Sequence, residues 1–318
     1  MKAPKAVHSS KHTPRPDVPK LATLASLIVI VLMFAGLSGY PLFDPDEGRY
    51  AAIAHYIIYT GDWVTLRLGN APYLDKPPLV HWQMALSLKA FGRHEWAFRL
   101  VPALWGLMGM IVAWWLASLI LPPGPRRWTA VVMATTVEYF ALARFPLTDM
   151  VLSTLVAATL TAWYASWRQP WRRWGWLLLS GVALGLALLT KGPIAAFLLV
   201  AIAGLHLLWT KRLLQGIVPG LFVLLVGCAL AAPWYIAVQK ANPDFNHYFF
   251  VVQHLQRFSA SGMDAHQAPF WYFLVMVPVG FALWALLWPA ALSRVGKKWR
   301  ELDAESRDAA KLLIVWAG

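Results

Sequence analysis

Acids and bases gather in a few short stretches of a chain that is otherwise apolar. The densest is Asp44-Pro45-Asp46-Glu47-Gly48-Arg49-Tyr50, followed by Tyr73-Leu74-Asp75-Lys76-Pro77-Pro78-Leu79. Arg144 with Asp149, Thr190-Lys191-Gly192-Pro193, His254 with Arg257, and His266 complete the set. A carboxylate such as Asp46 can take a proton from an attacking hydroxyl, while Lys and Arg heads can hold a phosphate. Together they suit transfer of a group carried on phosphate. Charges beside hydrocarbon are expensive, so several of them bordering tight loops signal mutual pairing or a charged ligand. No glycine-rich phosphate loop, Gly-x-Ser-x-Gly elbow or His-Glu-x-x-His offers a competing chemistry.

The elements that must position these residues are membrane helices. Of 318 residues, 59% are apolar and 14% charged, and the apolar ones come in long uncharged blocks. Spans are predicted at 21–39, 97–121, 128–145, 148–166, 175–190, 193–210, 215–236 and 269–291. Residues 1–20 read as a disordered cytoplasmic tail, and 21–318 as one all-α membrane domain. An outward loop at 40–96 carries two helices too short to span. The first runs from Pro45 to Thr60-Gly61, with Asp44 and Glu47 at capping-box spacing. Asp46 lies four residues before Tyr50 and is expected to share that helix's apolar edge. The second starts at Pro77-Pro78, and both are expected to lie along the outer bilayer surface. A second outward loop is predicted at 237–268. The final run, Leu312 to Gly318, is too short to cross ~30 Å of hydrocarbon, so the chain is expected to be part of a longer one.

Charge sets the orientation. With the spans alternating from a cytoplasmic N-terminus, the inside segments hold 18 Lys and Arg against 5 acids, and the outside ones 10 against 10. The whole excess of +13 therefore sits on one side, as the positive-inside bias requires, and nucleic acid is not its partner. In this orientation every acid and base singled out above faces outward. The lone Cys228 excludes a disulfide framework or a cysteine metal cage.

The order Asp46-Glu47-Gly48-Arg49-Tyr50, Gly61-Asp62-Trp63, Tyr73 to Leu79, Arg144 with Asp149, Thr190 to Pro193, Pro233-Trp234-Tyr235, His254 to Phe258 and His266 to Tyr272 resembles the bacterial branch of the protein O-mannosyltransferase superfamily. It is most similar to the lipid A 4-amino-4-deoxy-L-arabinose transferases, and the likeness covers nearly the whole chain. The resemblance implies a GT-C fold: a transmembrane helix bundle with interfacial helices and an outward active site at the periplasmic face of the inner membrane. It implies a polyprenyl-phosphate sugar as donor and a lipid or glycan acceptor such as lipid A. Asp46 matches the family's catalytic aspartate, Asp149 a second buried acid, and Asp75-Lys76 its acid–lysine pair. No cofactor is otherwise called for, but the family can bind a divalent metal through residues matching Asp75 and either His254 or His266. Here Asp replaces the more usual Glu, which shortens that ligand arm by one methylene.

Read residue by residue, Lys76, Lys191, Arg49 and Arg257 are the candidates for the donor phosphate, with Asp46 and Asp149 the catalytic acids. Glu47 reads as a helix cap or a partner for Arg49, and Asp149 as a group orienting Arg144 or Lys76. Arg257 reads equally as an ion-pair partner. Two other functions stay open beside lipid glycosylation, namely a protein O-mannosyltransferase and a lipid-linked-sugar flippase.

Overall fold

The computed structural model describes residues 18–42, 45–256, 269 and 271–317. It is a helix bundle. Helix α1 (Val18–Phe34) leads to α2 (Asp46–Thr60), the two-residue strands β1 (Arg67–Leu68) and β2 (Ala71–Pro72), and α3 (Leu79–Phe91). Then come α4 (Glu95–Ile120), the single turn α5 (Pro123–Arg126), α6 (Thr129–Ala134), α7 (Val137–Leu142), α8 (Thr148–Arg168), α9 (Arg173–Lys191), α10 (Ile194–Trp209) and α11 (Leu213–Ala241). A π-helical segment, α12 (His247–Gln256), precedes α13 (Tyr272–Phe281), α14 (Trp288–Lys298) and α15 (Ala304–Ala317).

Among the described residues, five stretches are long and apolar enough to cross a bilayer: Glu95–Ile120, Thr148–Arg168, Pro170–Lys191, Leu213–Ala241 and Leu274–Lys298. Helices α1 and α10 are apolar but shorter. The span expected at 128–145 is instead two short helices broken at Thr135–Thr136, whose hydroxyls turn back onto the carbonyls of Val131 and Val132. The span expected at 269–291 has its counterpart in Leu274–Lys298, where the helix changes direction at Ala282, φ 48°. Helix α15 begins eight residues before the apolar run that announced it. The loop expected at 237–268 is largely helical as far as Gln256, because α11 continues to Ala241 and α12 follows.

The core centres on α8, which buries Trp163 and Tyr164 between its neighbours. Helices α9 and α11 cross closely because glycine lines the contact: a Cβ on Gly181 would stand 2.6 Å from Val226 Cβ. Small residues give membrane helices their approach where lipid supplies no hydrophobic drive. Ser180 donates to the Thr159 carbonyl at 2.8 Å and ties α9 to α8.

The outward layer starts where α2 stops. Gly61, at φ 71°, returns its N–H to Ile57, and Asp62 then accepts from the N–H groups of Val64 and Thr65. That turn is sewn to other elements: Trp82 of α3 donates to the Trp63 carbonyl at 2.7 Å, and Trp234 of α11 to Val64 at 3.1 Å. The β1–β2 hairpin beyond it had no counterpart among the expected elements. It turns through Gly69 at φ 62°.

Candidate active site

The first turn of α2 divides its acids between two jobs. Its buried stripe runs through Glu47, Tyr50, Ala51, Ala54 and Ile57. Asp46, four residues before Tyr50 and seven before Ile53, lies in line with that stripe, but it stands at the first position of the helix and its side chain is 56% exposed. The carboxylate is therefore open where it was expected to be turned away from water. Asp46 accepts from Arg49 at 2.7 Å, so Arg49 pairs with it and not with Glu47.

Glu47 meets Arg99, a residue the sequence reading passed over. Arg99 Nε and Nη2 grip both carboxylate oxygens at 3.1 and 2.8 Å. Its remaining hydrogens go to the carbonyls of Leu37, Tyr40 and Pro41, each at 2.9 Å, and its guanidinium lies 3.8 Å from the Tyr40 ring centroid. Both side chains of the pair are fully buried. A lone arginine at the head of an apolar span was the available signal, since such a charge must find partners.

A wedge of three rings stands behind the first turn. The His81 ring stacks on Tyr50 at 4.8 Å and meets the edge of Tyr73 at 5.9 Å. Burial pushes the His81 imidazole down to about 3, with the nearby Lys76 charge adding to the fall, so the ring is neutral at working pH. Burial pushes the Tyr50 phenol up to about 12, against a hydrogen bond with Thr148, while the Asp149 carboxylate adds to the rise. Burial likewise raises Tyr73, with the Tyr50 and Asp75 side chains adding to the rise and the Arg49 charge opposing it. Both phenols therefore keep their protons. Tyr50, Tyr73, His81 and Thr148 were not singled out as functional; they read as helix-face or loop residues until the fold brought them together.

Around the wedge, the outward charges converge from distant parts of the chain. Lys191, at the end of α9, donates to Asp149, in the first turn of α8, at 2.7 Å. Asp149 therefore orients neither Arg144 nor Lys76, and at 41% exposure it is not the buried acid its motif implied. Arg144 caps α1, donating to the carbonyls of Leu32, Met33 and Ala35. The turn after Lys191 needs glycine: Gly192 sits at φ 74°, and a Cβ there would lie 2.7 Å from Phe249 Cζ of α12.

Asp75 faces α12. Its Oδ1 accepts from the Tyr248 hydroxyl at 2.6 Å and from Gln253 Nε2 at 2.7 Å. His254 donates Nδ1–H to its own segment's Phe249 carbonyl at 2.6 Å. Among the described residues no three His, Cys, Asp or Glu stand close enough to hold a metal ion; His266, the other expected histidine, lies outside them. Tyr248 and Gln253, which the sequence reading missed, occupy the face of Asp75. Arg257, His266 and the proposed cap Asp44 lie outside the described residues.

Residues 75–236 match the family model described as dolichyl-phosphate-mannose-protein mannosyltransferase, about half of the chain. The chain belongs to this family. An undecaprenyl phosphate-alpha-4-amino-4-deoxy-L-arabinose arabinosyl transferase of Aeromonas hydrophila is 33% identical over 269 residues, covering 84% of this chain and 49% of its own. The Erwinia tasmaniensis transferase of the same name is also 33% identical, over 93% of this chain and 53% of its own. The crystal structure of ArnT from Cupriavidus metallidurans bound to undecaprenyl phosphate matches with a TM-score of 0.77 at 29% identity, over 94% of this chain and 54% of that one. The fold is the GT-C helix bundle that the motif order implied. The chain spans about half the length of these mannosyltransferase-family relatives.

Proposed function

We propose that this chain carries the catalytic membrane layer of an inner-membrane glycosyltransferase, which moves a sugar from a polyprenyl-phosphate donor to an acceptor at the periplasmic face. The single observation that supports this most is the meeting of the Asp46–Arg49 and Asp149–Lys191 ion pairs at the Tyr50–His81–Tyr73 wedge. Two cations already balanced by carboxylates make a charge reserve for an incoming phosphate. The donor's phosphate draws Lys191 and Arg49 toward itself, with Lys76 and Arg257 as further contacts, and Asp46 is released to act as a base.

The acceptor oxygen attacks the anomeric carbon as the bond from that carbon to the phosphate oxygen breaks, inverting the centre. Polyprenyl phosphate leaves with the electron pair, and the cations stabilise the charge it gains. A hydroxyl acceptor passes its proton to Asp46; an acceptor that is already an anionic phosphate, as on lipid A, needs only to be positioned.

The names of the similar proteins favour an aminoarabinose donor carried on undecaprenyl phosphate, and a surface glycolipid is the acceptor this reading tests. The test is incubation of the full-length protein with a radiolabelled polyprenyl-phosphate sugar, acceptor lipid and vesicles. Label recovered in lipid supports the reading. Label in protein indicates a protein O-mannosyltransferase, and label that crosses the vesicle without transfer indicates a flippase. Asp46→Asn is expected to lower turnover by about 10²–10⁴-fold with donor binding retained, and wild-type turnover would remove Asp46 from the mechanism.

A further inference from the structure

On the opposite side of the membrane a groove of about 330 Å³ lies between α1, α4 and α6. Arg127 stands at its mouth, and the neighbouring Arg126 guanidinium lies 5.9 Å from the Trp114 ring centroid. Deeper in, the walls turn apolar through Ile30, Leu107 and Met110. At 1.5 Å per residue, Leu107 lies roughly 10 Å below Trp114 and Ile30 roughly 18 Å beyond Val18, the start of α1 at the same surface. The groove is therefore about one leaflet deep, half of the ~30 Å hydrocarbon thickness. Ile111 and Trp114 on its rim are about half exposed, so it opens sideways toward lipid.

The charge at the mouth is unbalanced. No Asp or Glu occurs between Glu95 and Glu138, and none occurs on α1; the one acid of the lining helices, Glu95, stands at the opposite end of α4 from Trp114 and Arg127. Among the described residues neither arginine takes part in a salt bridge, whereas Arg168 and Arg212 at the same surface meet Glu305 and Asp308.

We infer that this groove is a binding site for an anionic phospholipid of the cytoplasmic leaflet. One acyl chain would run along Ile30, Leu107 and Met110, and the phosphate would lie on Arg126 and Arg127. A cationic head over an apolar channel one leaflet deep matches such a lipid in both length and charge. Basic pockets between spans on the cytoplasmic side hold acidic headgroups in this way. The site lies across the bilayer from the transferase residues and does not depend on their reading.

Native mass spectrometry of the full chain in detergent, with phosphatidylglycerol or phosphatidylcholine of the same acyl chains added, tests the site without any activity assay. The expected result is at least fivefold more bound phosphatidylglycerol. In R126Q/R127Q that preference should disappear, while transfer by the enzyme is unchanged. Ala130→Phe, which fills the groove but keeps both charges, should lower retention of phosphatidylglycerol about tenfold. Equal binding of the two lipids by the wild type would overturn the inference, as would a preference that survives R126Q/R127Q. So would undiminished retention in Ala130→Phe.

Discussion

His81 is held where a proton costs most, wedged between two phenols and fully buried. An unfolded chain protonates this histidine below its ordinary value of 6.5, while the folded chain resists until about pH 3. The group therefore costs nothing above 6.5, and stability falls as pH drops through that window by about 1.4 kcal/mol per pH unit. In His81→Phe, which keeps the stacked ring, the acid limb of a stability-versus-pH curve should be shallower by that slope; an unchanged limb would mean that His81 does not set it. Arg99 is a second residue with a sharp expectation. Removing it by Arg99→Ala strands Glu47 in the interior, a loss of about 3–5 kcal/mol, read as a lower melting temperature in detergent. Residue by residue, the sequence named the acids and bases more readily than their partners. Asp46, Arg49, Asp149 and Lys191 were legible because charges are conspicuous between apolar runs. Their pairing was not, because it depends on contacts such as Lys191 with Asp149 that are 42 residues apart.

At the level of elements, the stops and starts written in local chemistry came through. Gly61 ends α2, and Pro77-Pro78 precedes α3, because glycine accepts φ > 0 and proline suits a helix start. The break at Thr135–Thr136 and the change of direction at Ala282 did not, since an apolar run looks the same whether its helix is straight, bent or interrupted. The π-helical turn α12 was equally hidden, although it brings Tyr248 and Gln253 to Asp75. Gly192 joins these elements to the site. Its φ of 74° and ψ of −145° are open to glycine alone, and Phe249 packs against it. Gly192→Ala should destabilise the protein by about 1–3 kcal/mol and weaken donor affinity through the displaced Lys191, which thermal denaturation and a donor titration would each detect. Donor affinity equal to that of the wild type would separate this turn from the site.

For the molecule as a whole, the surplus of bases on one face and the balanced acids and bases on the other reflect two different demands. The inner face meets an acidic membrane surface, whereas under the proposed function the outer face holds a phosphate and handles a proton without a net field. Orientation was legible from counting charges between spans, and the GT-C bundle from the order of motifs. The meeting of Asp46, Asp149 and Lys191 was not, because they belong to three separate elements, α2, α8 and α9, which only the fold brings around Tyr50. The most direct measurement is photocrosslinking of the full-length protein with a polyprenyl-phosphate sugar that carries a diazirine on its first isoprene unit, followed by peptide mapping. Labelled peptides should include Tyr73–Lys76 and Lys191, and excess unlabelled donor should remove the label from both. Label confined to other regions, or insensitive to that competition, would contradict a single outward site for the donor phosphate.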